Sequence, residues 1–469
     1  MNFSWSIFVD LGLIAAALLV ATYIRARVPF FQRFLIPNAL TAGFILLPLY
    51  NWVLPLLGWT NTGLGNLVFH LLNISFVAMC LREGTARGAG RRIISSAVMT
   101  ITQYTFQAIL GFAITFLFIA TIMPKLFPSF GFLLALGYGL GPGQAYAIGH
   151  SWESMGFEGG GNLGLVFATL GYLWGCFGGI YLIWMARKRG WMDVKKIDSI
   201  NQKRIRIGIY GAAEKKPVGS SLTTETEAID TMSFNLAVIL GVYLLAFLLL
   251  KGLSWLLHFA GPRGVLLSET LWGIAFIFAA LVALIVKKLM HMFKVSHAMD
   301  SGSLTRIAGA SVDLMLTAAV GAITILTLSA YWLPVLTVAI IGGLVTTVSV
   351  IWTCSRVFRD HKFDWTLMLF GNMTGTLSTG LAFLRILDPD FESPVATDYM
   401  YSTGITFVLC VPYILMLNLP GLWYQSGKAV YLWGTLGGLG LYLLLCIIGY
   451  LLLAGKRSFK NFFSIWLKG

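Results

Sequence analysis

Long apolar stretches recur along the whole chain, separated by short polar segments. Crossing the hydrocarbon core of a bilayer takes about 20 residues of α-helix. Most of these stretches have that length or more. They predict eleven membrane-spanning helices, at residues 5–24, 34–50, 66–81, 93–120, 160–185, 232–257, 266–286, 307–328, 333–355, 398–418 and 430–453.

The overall composition agrees with this pattern. Of 469 residues, 57% are apolar and 11% are charged, whereas a soluble domain has about 45–50% and 25%. The first apolar stretch has no Lys or Arg before it and no small-residue cleavage site after it, so we interpret it as a retained span rather than a signal peptide. The sequence therefore predicts an all-α integral membrane protein.

The lysines and arginines divide unevenly between the two sides of the predicted membrane. Two further apolar segments, near 131–149 and 365–384, are not counted as spans. If both dip into the membrane and return to the same side, 29 of the 33 basic residues fall on one side. Cytoplasmic loops carry such an excess. The split predicts an external N-terminus and a cytoplasmic C-terminus, and it explains the net charge of +14 without a nucleic-acid partner.

Both dipping segments contain residues that are unusual in a membrane helix. The run 137–150 has alternating glycines and Pro142, and the run 371–380 is dense in hydroxyl groups. A full crossing by either segment would move every later loop to the other side and remove the charge asymmetry. Unpaired backbone groups at membrane depth are tolerated only beside protein or a water-filled cavity. We therefore predict two re-entrant hairpins, at about 130–150 and 364–386.

The chain divides into two similar halves. Each half has five spans with a dip between its fourth and fifth, and an odd number of crossings turns the second half upside down. Inverted repeats with interrupted segments at matching places indicate the midplane site of a secondary transporter. The predicted units are a first repeat (1–185), a cytoplasmic basic linker (186–231), a second repeat (232–420) and an extra helix with a cytoplasmic tail (421–469).

The Gly-Pro-Gly-Gln-Ala run at 141–145 and the Gly-Asn-Met-Thr-Gly-Thr-Leu-Ser-Thr-Gly run at 371–380 resemble the motifs of a known family. Members of the bacterial sodium/glutamate symporter family carry such a glycine-rich motif in each of two re-entrant loops. The resemblance implies a homodimer in the bacterial inner membrane, with a scaffold and an elevator-type transport domain. It also implies sodium-coupled uptake of glutamate, with another small carboxylate as an open alternative.

The first hairpin tip is a predicted substrate site. A half-helix that begins at midplane presents free N–H groups and the positive end of its dipole, which attract a carboxylate. Glycine lets the substrate approach the backbone closely. On this basis we assign substrate contacts to Gly141, Gly143, Gln144 and Ala145.

The second tip offers hydroxyl groups, which suit sodium and polar groups of the substrate. These hydroxyls could instead bond back to helical carbonyls. The predicted substrate contacts are Thr374, Gly375, Thr376, Ser378 and Thr379.

Charged residues within the spans extend the predicted site. Arg385 could bind a substrate carboxylate in bidentate fashion, or it could snorkel to the interface or pair with Asp388. An acid inside a span is a functional hypothesis by default, and Asp313 lies about six residues into the eighth span, whereas Asp10 is expected at the interface. The predicted sodium ligands are Asp313, Asn372, Thr376 and Ser378.

Other classes of protein fit the sequence less well. The chain has no G-x-x-x-x-G-K-[ST] phosphate loop for a primary pump, and its five cysteines form no C-x-x-C pair for a transition metal. A membrane enzyme would need a polar cluster within the spans, and His70 has no obvious partner in sequence. We therefore expect no enzyme activity and no cofactor besides Na⁺. An ion or anion channel built on the two re-entrant loops remains the alternative.

Overall fold

The computed structural model describes residues 5–83, 90–192, 207–209, 211, 218–388 and 393–467. Within these ranges the chain is helical, without a β-strand, and eleven helices are long and apolar enough to cross a membrane. The fold is that of a multi-pass helical membrane protein, as the apolar pattern predicts. The eleven helices are Ser6–Arg27, Asn38–Leu57, Thr62–Leu81, Gly90–Thr121, Gly160–Arg189, Thr231–His258, Ala275–Met292, Ser301–Gly321, Ile325–Val357, Val395–Ser426 and Ala429–Arg457.

We number the α-helices of the described residues in chain order. They are α1 (Ser6–Arg27), α2 (Pro29–Phe34), α3 (Asn38–Pro48), α4 (Thr62–Leu81), α5 (Gly90–Thr121), α6 (Pro142–Ser151), α7 (Gly160–Arg189), α8 (Thr231–His258), α9 (Pro262–Gly273), α10 (Ala275–Met292), α11 (Ser301–Gly321), α12 (Ile325–Val357), α13 (Lys362–Met373), α14 (Leu377–Leu387), α15 (Val395–Met416), α16 (Leu419–Ser426) and α17 (Ala429–Ala454). Of the predicted linker 186–231, residues 193–206, 210 and 212–217 lie outside the described residues.

Each predicted span overlaps a long helix, but for two of the spans the structure has a break that was not predicted. The predicted span 266–286 is two helices, because Ile274 (φ −111°, ψ 23°) separates α9 from α10. The predicted span 307–328 ends early, because α11 stops at Gly321 and α12 begins at Ile325. Apolar residues continue through both breaks, so hydropathy alone does not reveal them.

The helices pack into two groups. The first helix group contains α1, α3 and α4 from the first half and α8, α10 and α11 from the second. The second helix group contains α5, α6 and α7 with α12, α13, α14, α15 and α17. Helix α9 packs on both α8 and α6. Other contacts between the groups are fewer than those within them, and α6 makes most of them, against α4 and α11. Helix α6 therefore lies at the boundary between the groups.

Packing contacts recur in matching pairs between the two halves of the chain. In the first group, α3 packs on α11 as α10 packs on α4, and α4 and α11 pack on each other. In the second group, α5 packs on α15 as α12 packs on α7, and α5 and α12 pack on each other. Each half thus supplies three spans to the first group and a fourth span, a broken segment and a fifth span to the second.

The segment that follows α17 folds back on the second helix group. The buried Arg356 guanidinium, at the end of α12, donates hydrogen bonds to the carbonyl oxygens of Asn461 and Ser464, each over 2.9 Å. The Trp466 ring stacks on that of Trp191, after α7, with centroids 4.7 Å apart. We call residues 455–467 the C-terminal strap, since they join the ends of α7 and α12.

Candidate functional site

The first broken segment turns back on itself at Gly141. The arm before it ends in the π-helical turn Ala135–Leu140, and α6 leads away from it. Gly141 has φ 104° and ψ 178°, a conformation open only to glycine. At the far ends of the two arms, the Phe127 ring stacks on Phe157 (centroids 4.7 Å apart) and contacts Trp152 (5.9 Å). Residues on the two sides of this segment are therefore in contact.

The second segment is broken as well. Helices α13 and α14 pack side by side, and residues 374–376 join them. A Cβ added at Gly371 would lie 2.7 Å from Cα of Gly380. This spacing leaves no room for a side chain, so glycine at both positions permits the two short helices to touch. The interruptions predicted within 130–150 and 364–386 are both present in the structure.

The two breaks meet. A Cβ added at Gly141 would lie 3.1 Å from Cγ2 of Thr376 and 3.8 Å from the carbonyl oxygen of Gly375. These residues are more than 230 positions apart in the chain and belong to different halves. One site is therefore built from both glycine-rich motifs.

Helix α7 supplies a flat surface behind the breaks. A Cβ at Gly171 would lie 3.0 Å from the carbonyl oxygen of Thr374, and one at Gly175 would lie 2.8 Å from its hydroxyl. A Cβ at Gly179 would lie 2.6 Å from the Phe383 ring. Three glycines spaced four residues apart thus let the second broken segment press against α7. The spacing of these glycines predicts such close packing.

Two helix N-termini point into the junction. Helix α6 begins at Pro142 and α14 begins at Leu377, and neither has a side-chain cap. The backbone N–H groups of the first turn of a helix have no acceptor within the helix. In α6 these include Gly143 and Gln144, and in α14 they include Leu377 and Ser378. The junction therefore offers N–H donors and the positive ends of two helix dipoles, a combination that binds anions.

Two hydroxyl groups and one carboxylate complete the junction. The Tyr172 ring lies beside Gly375, where a Cβ would be 3.2 Å from Cδ1 of the ring. The Tyr172 hydroxyl faces that of Thr376, but neither makes a hydrogen bond of normal geometry within the described part of the chain. The exposed Asp313 carboxylate of α11 lies close enough to act electrostatically on Tyr172. Two hydroxyls without a hydrogen-bond partner among the described residues thus lie at the junction, with the Asp313 carboxylate near one of them.

The predicted residues of the first tip have different surroundings. Gly141 is at the junction itself, and the side chain of Gln144 is buried beside it, with Oε1 3.7 Å from a Cβ built at Gly141. A Cβ at Gly143 would lie 2.9 Å from the sulfur of Met315, which belongs to the first group. Ala145 is buried against Gly164 of α7. Backbone amides, rather than these side chains, are what the first tip can present to a ligand.

The residues predicted for the second tip also divide. The Thr374 hydroxyl donates a hydrogen bond to the Phe370 carbonyl (2.8 Å), so it is used within its own helix. Thr379 is buried beside Gly375, and Ser378 is exposed. Asn372 is buried next to Tyr104 of α5. Thr376 is half-buried, and its hydroxyl has no hydrogen-bond partner among the described residues.

Arg385 is not brought to the junction. It lies nine residues beyond Thr376 on α14, which is about 14 Å at 1.5 Å per residue. Its side chain is exposed. The structure thus gathers most of the predicted site residues around the two breaks and leaves Arg385 at the other end of its helix.

Helix α5 supplies two supporting residues that the sequence did not single out. The Tyr104 hydroxyl donates to the carbonyl oxygen of Gly139 (3.3 Å), beside the first break. The Gln107 amide donates to the carbonyl oxygen of Met373 (2.9 Å), beside the second. A broken helix leaves carbonyl groups without partners, and buried ones need a donor. Two polar residues three positions apart in an apolar helix are the signal that could have indicated this role.

His70 and Asp10, both in the first group, have hydrogen-bond partners. The Nδ1 of His70 lies 2.8 Å from the Tyr243 hydroxyl, although the sequence shows no obvious partner for it. Asp10, expected at the interface, is buried within the protein, with its carboxylate accepting a hydrogen bond from Tyr50 and lying against Gly63. Gly63 is in the first turn of α4, where a helix dipole stabilises negative charge.

The arrangement is that of a multi-pass helical membrane protein in which two broken segments meet at one polar junction. Comparisons with protein-family models, with curated proteins and with solved structures find no match for this chain. Among the described residues, no three His, Cys, Asp or Glu side chains are grouped as a metal site would require. The function is therefore argued from the junction itself.

Proposed function

We propose that this protein is a secondary active transporter that takes up a small acidic substrate, with glutamate as the first candidate, coupled to sodium. The contact between Gly141 and Thr376, at the tips of two broken segments from different halves, carries the proposal. Broken helices that meet at midplane are how transporters of inverted-repeat architecture build a substrate site. We take the two segments to be re-entrant hairpins.

The chemistry of the junction supports an anionic substrate with a cation. The uncapped N-termini of α6 and α14 supply N–H donors for a carboxylate. The Thr376 hydroxyl and the carbonyl oxygen of Gly375 are hard oxygen ligands of the kind that sodium requires, and Asp313 supplies negative charge nearby. A bound sodium ion would offset the repulsion between Asp313 and the substrate carboxylate, which favours coupling.

The two helix groups support an elevator mechanism. In the proposed mechanism, the second group carries both hairpins and moves against the first, which acts as scaffold and holds the homodimer together. The matching contacts of the two halves support an inverted repeat. The few contacts between groups run mainly through α6, next to the substrate site. Movement of the second group would thus carry the site from one side of the membrane to the other.

The distribution of charge supports the proposed orientation. The basic ends of α7 and α12 lie beside the C-terminal strap. Under the positive-inside rule this side is cytoplasmic. The first hairpin would then enter from outside and the second from the cytoplasm of a bacterial cell.

Uptake into proteoliposomes tests the proposal directly. Labelled glutamate should accumulate above its external concentration when an inward sodium gradient is imposed, and not when sodium is equal on both sides. Unlabelled aspartate or succinate, added in excess, shows which acid competes, and glutamine, whose side chain is neutral, tests the need for the second carboxylate. Ohmic current without accumulation would instead support the alternative of a channel on re-entrant loops, and would refute the symporter.

A matched pair of variants places the activity at the junction. Thr376→Val keeps the shape of the side chain but removes the unpaired hydroxyl, so we expect uptake to fall at least tenfold, as for a lost hydrogen bond to a charged group. Thr169→Val is the control, because the Thr169 hydroxyl bonds only to the Leu165 carbonyl of its own helix (2.9 Å) among the described residues. If the two variants take up glutamate equally, the Thr376 hydroxyl is not part of the substrate site.

A further inference from the structure

Three asparagine side chains converge on the short connection between α11 and α12. This connection, residues 322–324, is where the chain passes from the first helix group to the second. Of the three passages between the groups, it is the one that lies wholly within the described residues. Any relative movement of the groups must be absorbed at such passages, as in hinges generally.

The first group holds this connection through two asparagines. The Asn51 amide donates to the carbonyl oxygen of Ile323 (2.8 Å) and accepts from the N–H of Ile325 (3.1 Å). The Asn61 amide donates to the carbonyl oxygen of Ala322 (2.9 Å). Asn61 also donates to the Thr324 hydroxyl. Both residues lie between α3 and α4, so four hydrogen bonds tie the first group to the connection and to the start of α12.

The second group holds the same connection through one asparagine. Asn162, in the first turn of α7, accepts a hydrogen bond from the N–H of Thr324 over 2.6 Å. It also donates to the Thr324 hydroxyl (3.2 Å), which in addition accepts from Asn61 (3.1 Å). The Thr324 hydroxyl is therefore a shared acceptor for one amide from each group.

We propose that Asn51, Asn61 and Asn162 form an asparagine clamp that locks the hinge between the two helix groups. Asn51 and Asn61 hold the hinge to the scaffold permanently. Asn162 is the releasable arm, because it belongs to α7 in the second group. Like Asn51 and Asn61 it is half-buried, so water can replace its two hydrogen bonds. The clamp thus favours the state seen here over the alternative position of the second group. This inference rests on the proposed elevator mechanism.

Distance measurements between the two groups test the clamp. Spin labels are attached through Leu56→Cys, in the first group, and Ser426→Cys, at the end of α16; both positions are exposed. The five native cysteines are replaced by serine, and the full chain is placed in lipid nanodiscs. We expect one dominant distance with the clamp intact. Asn162→Ala should raise the population at a second distance about tenfold, the shift expected from two lost hydrogen bonds.

Two further variants decide the outcome. Thr324→Val removes the shared acceptor and should increase the second population in the same way. Asn235→Ala is the matched control, because buried Asn235 bonds to Thr231 and Asp300 inside the first group, and it should leave the distances unchanged. Unchanged distances in both clamp variants, or an equal shift in the control, would overturn the clamp. Uptake by the unaltered protein separately tests the proposed function, so the two failures are distinguishable.

Discussion

Gly141 shows how one residue decides whether the two halves can meet. Its backbone conformation, φ 104° and ψ 178°, is essentially closed to residues with a Cβ, and that atom would press on Thr376 at 3.1 Å. An alanine here must either strain the backbone or push the second break away. The glycine is thus required by both the turn and the contact.

We predict that Gly141→Ala weakens substrate binding and uptake at least tenfold, because backbone strain of this kind costs about 1–3 kcal/mol. Isothermal titration of the purified variant with glutamate and sodium measures the loss. Gly12→Ala is the control, since a Cβ added at Gly12, in α1, would meet open space. Binding within twofold of the unaltered protein in the Gly141 variant would show that the tip does not form the site.

Single residues also mark the limit of what the sequence reveals. Gly141 and Thr376 could be predicted as site residues because each lies in an unusual run. Tyr172 could not, because one tyrosine in an apolar helix looks the same whether it packs or faces lipid. The spacing of Tyr104 and Gln107 in α5 indicates a shared role but does not identify the groups that they contact. Their importance comes from a neighbour far away in the chain, and such pairs are not encoded in hydropathy or spacing.

Helix ends illustrate how individual elements are fixed. Asp300 caps α11: its carboxylate accepts hydrogen bonds from the N–H groups of Gly302 and Ser303 and from the Ser303 hydroxyl. Burial acts to raise the pKa of Asp300, but the hydrogen bonds from Ser303 and Gly302 outweigh it, so that the pKa is lowered from 3.8. The cap is therefore charged in the folded protein at neutral pH.

We predict that Asp300→Ala destabilises the protein by about 1–2 kcal/mol, the range for a lost N-cap. Because the folded-state pKa is the lower one, the cap stabilises fully above the unfolded value of 3.8 and is lost as the pH falls through the folded-state pKa. Thermal unfolding in detergent at pH 7 should therefore show the full difference. Asp230 is the exposed cap of α8, so Asp230→Ala should lower the stability of the protein by less. An equal loss of stability in the two variants would contradict a special role for the buried cap.

The C-terminal strap makes a prediction at the level of elements. Trp466 is 7% exposed and packs on Trp191 and Phe363, so it joins the end of α7 to the start of α13. Trp466→Ala should destabilise the protein by about 3 kcal/mol, as for other buried aromatic truncations. Phe463, in the same strap, is 98% exposed, and Phe463→Ala should leave the unfolding temperature unchanged. A shift of the same size in both variants would refute the strap as a structural link.

Elements were predicted better than their ends and their packing. A helix that crosses a bilayer must be apolar over about 20 residues, so all eleven long helices are visible in the sequence. The break at Ile274 is not, because no glycine or proline run marks it beyond Gly273, and apolar residues follow. The assignment of spans to two groups needs contacts between halves, which only the three-dimensional structure supplies.

At the scale of the whole molecule, the proposed topology requires each broken segment to begin and end on one side of the membrane. Lys125 precedes the first break and Ser154 follows it, and both are exposed. Asp360 and Thr397 bracket the second break and are also exposed. A continuous crossing by either segment would place its two flanking positions on opposite sides.

Single cysteines at these four positions, in a variant with the native cysteines replaced by serine, give the test. We expect a membrane-impermeant maleimide added to intact cells to label Lys125→Cys and Ser154→Cys, because the first hairpin enters from the side with few basic residues. Asp360→Cys and Thr397→Cys should react only after permeabilisation, because the positive-inside rule places the basic side in the cytoplasm. Phe463→Cys serves as the cytoplasmic control. Labelling of one member of a pair from outside and the other only from inside would make that segment a span, and would remove the inverted repeat on which the transporter proposal depends.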